Sequence, residues 1–261
     1  KIRKKMADDN RPLQYARYAI GEIVLVVIGI LIALQINNWN EDRKARAQEH
    51  SSMIELIENL HYDIIRCEGN NKNNTQIILG LDSLRSSISN AIDGKDETNN
   101  IYYYSIKYGY GYAQAVINRS AYDEIISSGT VKLIKNNKLK LSLSDYYERI
   151  STTALEYIPQ TALSNFQNSN KKIIKLREMQ DFMQSSESRD YVNFNINYDY
   201  RNIKNRVGLK LLNTNLDDLN EHYNEVYQYE LELKTYNFYL SWVKESAESL
   251  IQDIKIEYQI K

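Results

Sequence analysis

Tyr18-Ala-Ile-Gly-Glu-Ile-Val-Leu-Val-Val-Ile-Gly-Ile-Leu-Ile-Ala-Leu-Gln-Ile-Asn-Asn-Trp39 decides the reading of this chain. Its interior is apolar all round, with Glu22 as the one charged side chain. As an α-helix rising about 1.5 Å per residue it spans roughly 33 Å, which matches a hydrocarbon core of about 30 Å. Tyr18 and Trp39 then fall at the two interfaces, the depth that amphipathic rings favour. A signal peptide is the first alternative, but no small-x-small cleavage site follows, and Ala33-Leu34-Gln35 is a poor candidate. A buried helix of a soluble domain is the second, but no other part of the chain is apolar enough to enclose it.

Orientation follows from charge. Lys1, Arg3, Lys4, Lys5, Arg11 and Arg17 precede the span against Asp8 and Asp9, whereas Arg43, Lys44 and Arg46 after it are balanced by Glu41, Asp42 and Glu49. The positive-inside bias predicts a cytoplasmic basic flank, residues 1–17, a transmembrane helix, 18–39, and an extracytoplasmic remainder. In a bacterium that remainder is periplasmic, with the anchor in the inner membrane. The chain opens on Lys1 rather than Met, so a few preceding residues are expected, which leaves the sign of the bias unchanged.

Composition bounds the remainder. Two prolines and nine glycines in 261 residues, with Asn, Lys, Glu and Ser filling the polar positions, predict long helices and a mainly α protein. A formal net charge of −1 sets up no global field, so nucleic acid is not an implied partner. Cys67 is the single cysteine and is expected to be a buried structural thiol rather than half of an intermolecular bridge.

From Met53 onward, Ile57, Leu60, Ile64, Cys67, Asn71, Asn74, Ile78, Leu81, Arg85, Ile88 and Ile92 recur at alternating spacings of four and three, the seam of packed helices. Nothing between Asn40 and His50 would stop a helix, so residues 40–92 are predicted to leave the membrane as one rod. Asn71 and Asn74 interrupt the seam. Either they fix register or oligomer number, or the helix frays or bends at Glu68-Gly69-Asn70-Asn71. Residues 93–214 read as a helical module with tyrosine-rich segments: a loop at Asp93–Asn100, a short helix Ser120–Ser127 ended at Gly129, and helical pattern over Val131–Ile134, Leu139–Ile150, Thr152–Phe166 and Lys171–Gln184, divided near Pro159. Two runs alternate with period two: Tyr104, Ile106, Tyr108, Tyr110 and Tyr112, and Val192, Phe194, Ile196, Tyr198 and Tyr200. They read as a two-stranded β element or, equally, as extended loops on helices. Residues 215–261 repeat the heptad theme with Tyr229, Leu233, Tyr236, Leu240, Val243, Ala247, Leu250 and Ile254, a long helix expected to pack back on the rod as a bundle.

Two blocks, Ala19 through Glu41 and the more degenerate Ser120-Ala-Tyr-Asp-Glu-Ile-Ile-Ser-Ser-Gly129 with Leu143-Ser-Asp-Tyr-Tyr147, resemble a family of uncharacterised bacterial single-span membrane proteins. The resemblance covers roughly the first three fifths of the chain. It implies a bacterial inner-membrane location and transfers no catalytic residue.

Within the span, Glu22, Val26, Gly29, Ala33 and Ile36 fall on one stripe, and Gly29-x-x-x-Ala33 is a small-x-x-x-small pair that lets transmembrane backbones meet. Glu22 lies about one turn inside the interface, where it can snorkel, hydrogen-bond a partner or carry protons. Elsewhere chemistry is sparse. His50, His61 and His222 stand in no metal-binding spacing, and no nucleophile elbow, phosphate-binding loop or dinucleotide fingerprint occurs, so neither catalytic residue, metal nor cofactor is predicted. His61-Tyr-Asp63 and His222-Tyr223 read as polar positions beside a seam. Tyrosine is in surplus, 22 against four phenylalanines, and Tyr102, Tyr103, Tyr104, Tyr108, Tyr110 and Tyr112 are dense enough to suggest a partner surface, or else the aromatic filling of a wet bundle. The expectation is an anchored interaction or scaffold protein of the envelope, not an enzyme, touching lipid and either a second copy or another envelope protein. A helical-bundle sensor and an ion- or proton-coupled subunit using Glu22 are the alternatives.

Overall fold

The computed structural model describes residues 11–157, 159–178 and 201–260. A single helix, α1, runs without interruption from Arg11 to Ile92, 82 residues, and α7, Leu216–Tyr258, returns along its outer half. The remaining elements are α2 (Thr98–Tyr108), α3 (Ser120–Ser127), α4 (Asn137–Ser144), α5 (Ser151–Glu156) and α6 (Gln160–Ile173). A π-type turn, Asp145–Ile150, joins α4 to α5, and a short turn of helix spans Arg201–Lys204. No strand occurs among the described residues.

Three pairs fix the antiparallel register of α1 and α7. The Tyr258 hydroxyl donates to Glu49, Asn71 Nδ2 donates to Ser241 Oγ at 2.9 Å, and Arg85 donates to the Tyr223 hydroxyl at 3.0 Å. Two apolar clusters lie along this seam. The one nearer the N-terminal end of α1 joins Met53, Leu56, Leu60 and Cys67 to Tyr236, Val243, Leu250 and Ile254, and α3, α4 and the π-type turn cover it with Ile125, Leu143, Tyr146 and Tyr147. The distal one joins Leu81, Leu84 and Ile88 to Leu219, Val226, Tyr229 and Leu233 beneath α2 and α6. Cys67 is 1% exposed and free, and burial pushes its thiol up to about 12.

Caps follow local chemistry. Asn215 accepts the amide of Asp217 at the start of α7, Asn136 accepts that of Leu139 at the start of α4, and Gly129, at φ +76°, supplies the left-handed residue that ends α3. Pro159 separates α5 from α6, where its missing amide and ring forbid a continuous helix. The helix of the rod is unbroken through Gly69. Asn71 and Asn74 are satisfied inside the chain, by Asn237 and Ser241 and by Ala113, so they set intramolecular register.

The alternating run Tyr104–Tyr112 is not a strand. Through Tyr108 it forms the last turns of α2, because Ile101, Tyr102, Ser105 and Ile106 make a helical buried face and Tyr104 stacks on Tyr108 one turn later, centroids 6.3 Å apart. From Gly109 to Arg119 the chain has no regular secondary structure. The second alternating run, Val192–Tyr200, and the end of the helical pattern towards Gln184 lie outside the described residues.

Two glycines of α1 test the packing. A Cβ on Gly69 would meet nothing within 4 Å, whereas one on Gly80 would run into the Tyr108 ring. Gly69→Ala should therefore stabilise the protein by about 0.5–1 kcal/mol and Gly80→Ala should destabilise it by about 1–3 kcal/mol, read as opposite shifts of the denaturation midpoint.

Candidate functional site

Two regions carry more than packing requires. The first is the uncovered half of α1. From Ala19 to Trp39 it is exposed along its whole length, with Leu25 at 74% and Ile36 at 60%, and no other described element touches it. It is the one described helix long and apolar enough to cross a membrane. Glu22, Val26, Gly29, Ala33 and Ile36 all lie on this exposed rod, and nothing stands within 4 Å of a Cβ on Gly29. Trp39 is 64% exposed with the Arg43 guanidinium 5.5 Å above its ring, a cation–π pair at the point where the apolar stretch ends. Tyr18 lies in the helix, and its side chain is outside the described residues.

The second region is a strap, residues 109–119, laid over the groove between α1 and α7. An extended segment on a helical surface has no ladder to satisfy its backbone, so side chains must do it. Tyr229 donates its hydroxyl to Gly111 O at 3.0 Å. Asn74, fully buried, brackets Ala113, accepting its amide at 2.7 Å and donating to its carbonyl at 3.0 Å. The Ala115 amide donates to the Tyr236 hydroxyl at 3.0 Å, and Arg66 donates to Val116 O at 3.0 Å. The last clamp is Asp63. Its Oδ1 accepts the Asn118 amide at 2.9 Å and its Oδ2 accepts the Tyr146 hydroxyl at 2.8 Å, which ties α1, the strap and the π-type turn together. Ala115 and Ile117 point inward while Gln114 and Val116 point out.

Asp63 has no solvent exposure, and burial raises its carboxyl to about 6, against the lowering pull of the Asn118 amide, the Tyr146 hydroxyl and the Arg66 charge. Burial also pushes the Tyr146 and Tyr147 phenols far above their ordinary range. A second buried titratable group, His222, stands in the distal cluster. Its Nδ1 lies 2.8 Å from Ser169 Oγ, its Nε2 has no partner among the described residues, and desolvation lowers it to about 3, so the ring is neutral. Ser169 is 2% exposed and His222 is fully buried, so this pair serves the α6–α7 contact.

The six tyrosines do not share one surface. Tyr102 is fully buried, donating to Lys210 O at 3.2 Å and accepting the Lys175 amide at 2.9 Å, so it ties α2 to the segments flanking the undescribed residues. It belongs to the core because it lies on the same helical face as Ile101 and Ile106. Tyr103, Tyr104 and Tyr108 are half-buried, and the Lys204 ammonium sits 4.5 Å from the Tyr103 centroid and 5.1 Å from that of Tyr104. Tyr110 is 43% exposed, and Tyr112 packs edge-on against Tyr236.

Sequence reading placed Asp63 and His222 beside the seam, yet both are in it. Asp63 follows Leu60 by three and precedes Cys67 by four; His222 follows Leu219 by three and precedes Val226 by four. A polar residue at a seam position was the available signal.

The depressed His222 dictates an acid limb. The unfolded chain takes up a proton near pH 6.5 that the folded ring refuses until about pH 3, so this stabilisation is complete above 6.5 and is lost as pH falls. His222→Phe, set beside Phe166, should remove about 2 kcal/mol of the stability difference between pH 7.5 and pH 5, seen as a flatter pH dependence of the denaturation midpoint than in the native protein.

No curated protein and no solved structure matches the chain. Residues 22–195, more than half of its length, match a family of unknown function, DUF6090, and the chain belongs to that family.

Proposed function

We propose that this protein is a membrane-anchored interaction or scaffold protein of the bacterial envelope, with its N-terminal flank in the cytoplasm and its bundle in the periplasm. The observation that carries the reading is the uncovered apolar rod, Ala19–Trp39, continuous with a helix whose outer half is the spine of a packed bundle. A bilayer removes that apolar surface from water, and the excess of Lys and Arg before the span supports the orientation. Glu22, Val26, Gly29, Ala33 and Ile36 form the face through which spans associate, because small residues at Gly29 and Ala33 admit a second backbone. The exposed Tyr110 and the half-buried Tyr103, Tyr104 and Tyr108 present the polar-tipped aromatic surface suited to a protein partner. No catalytic step is assigned to any residue.

A sensor is the second reading, and the unbroken helix favours it. Residues 40–48 join the span to the bundle with no Gly or Pro at which a displacement would dissipate.

The full chain in nanodiscs should give a native mass of more than one copy, or of one copy with a second envelope protein, and Gly29→Leu combined with Ala33→Leu should shift it towards the monomer. Protease added to spheroplasts should degrade epitopes in the bundle and spare one placed before residue 17. A lone monomer in native membranes would refute the scaffold reading, and the opposite protease pattern would refute the orientation.

A further inference from the structure

We propose that Asp63 is a proton-coupled latch for the strap: closing residues 111–119 over the α1–α7 groove takes up a proton from solvent, so acidification holds the strap shut and rising pH loosens it.

The geometry makes Asp63 the shared point of closure. Its carboxylate is fully buried and bonds both the strap, through the Asn118 amide, and the π-type turn, through Tyr146, while Arg119 at the strap's end donates to Tyr147 O of the same turn. Asn59 braces the same corner, accepting from Asn118 Nδ2 at 2.9 Å and donating to Ser120 Oγ at 3.1 Å. When the strap lifts, Asp63 loses the Asn118 amide and meets water, so its closed and open states hold protons differently.

The charged and titratable surroundings decide the direction. On α1, Arg66 pulls the carboxyl down, but its guanidinium is also committed to Val116 O and stacked 5.1 Å over Tyr62. Cys67 on α1 is a neutral thiol. The π-type turn contributes Tyr146 and Tyr147, both un-ionised. At the strap's end, Arg119 is turned to Glu148 at 2.7 Å and Asp123 at 3.5 Å. Tyr122 of α3 stacks on Tyr147, 4.4 Å between centroids, and α7 contributes Tyr236, which holds Ala115. Burial outweighs the two donors and Arg66, and the closed carboxyl titrates near 6 instead of its ordinary 3.8. By linkage the closed state binds more protons than the open one between these values, so closure is favoured below pH 6 and weakened above it. Protonation keeps the closed geometry satisfied, because one oxygen still accepts the Asn118 amide and the tyrosine hydroxyl can rotate to accept from the other.

Hydrogen exchange of the full chain in nanodiscs between pH 5 and 7.5, normalised to intrinsic amide rates, tests the latch. Peptides covering 111–119 should be about tenfold better protected at pH 5 than at pH 7, a dependence absent from Asp63→Asn. Peptides from the distal core, 219–233, should lack this gain in protection on acidification. Tyr146→Phe removes one donor to the carboxylate and should move the midpoint of the protection profile upward. Strap protection that is independent of pH in the native chain, or equally dependent on pH in Asp63→Asn, would overturn the latch. Should Asp63→Asn fail to fold, the native profile and the Tyr146→Phe midpoint decide it.

Discussion

The structure depends on one helix that carries two kinds of surface. Over Ala19–Trp39 α1 is mostly apolar all round and no other described element touches it, while from Met53 onward it is apolar along one seam and mainly polar elsewhere. An α-helix satisfies its own backbone whatever surrounds it, so the same element passes from one regime to the other without a break. Everything else in the described chain is folded against the second regime. The α7 helix fills the seam, and α2 to α6 cover what two helices leave open.

Two helices cannot by themselves enclose the polar groups that their seam contains. Asn71, Asn74, Asp63, His222 and Glu230 all occupy positions where a heptad would carry an aliphatic side chain. Each is matched by a specific partner, and the partners give the bundle its register. Asn74 engages Ala113 from both sides, Asp63 binds Asn118 and Tyr146, and Glu230 is held by Arg85 at 3.4 Å and by Lys234. Asn71 and Glu230 find their partners within the two helices, whereas Asp63, Asn74 and His222 do not, and unpartnered each of these would cost on the order of 1–3 kcal/mol or more, so their polarity requires the third layer. The strap is that layer's least regular part and the one whose backbone relies most on side chains.

Much of this was legible because it is local. The α3 boundaries, the break at Pro159 and the start of α7 at Asn215 follow from caps, ring geometry and periodicity, which are properties of neighbouring residues. The tyrosine ladder misled because alternation over nine residues mixes two conformations: α2 runs to Tyr108, and an extended strap begins at Gly109. Period two is ambiguous when the large residues are tyrosines, whose polar tips let them lie on buried and exposed faces alike. Asp63 was passed over because a carboxylate at a seam position reads as a solvated face until its donors, 55 and 83 residues away, are in place.

The sequence by itself determined that one segment is long and apolar enough to cross a bilayer, that the rest is mainly helical, and that two long helices share a complementary apolar seam. Those are consequences of hydrophobic periodicity and backbone self-satisfaction, both readable along a single strand of residues. Only the tertiary structure decided which polar side chains are buried, what they hold, and where tyrosines become core. Such pairings depend on the juxtaposition of elements distant in the chain, and a buried charge or hydroxyl acquires its meaning from partners that no local pattern specifies.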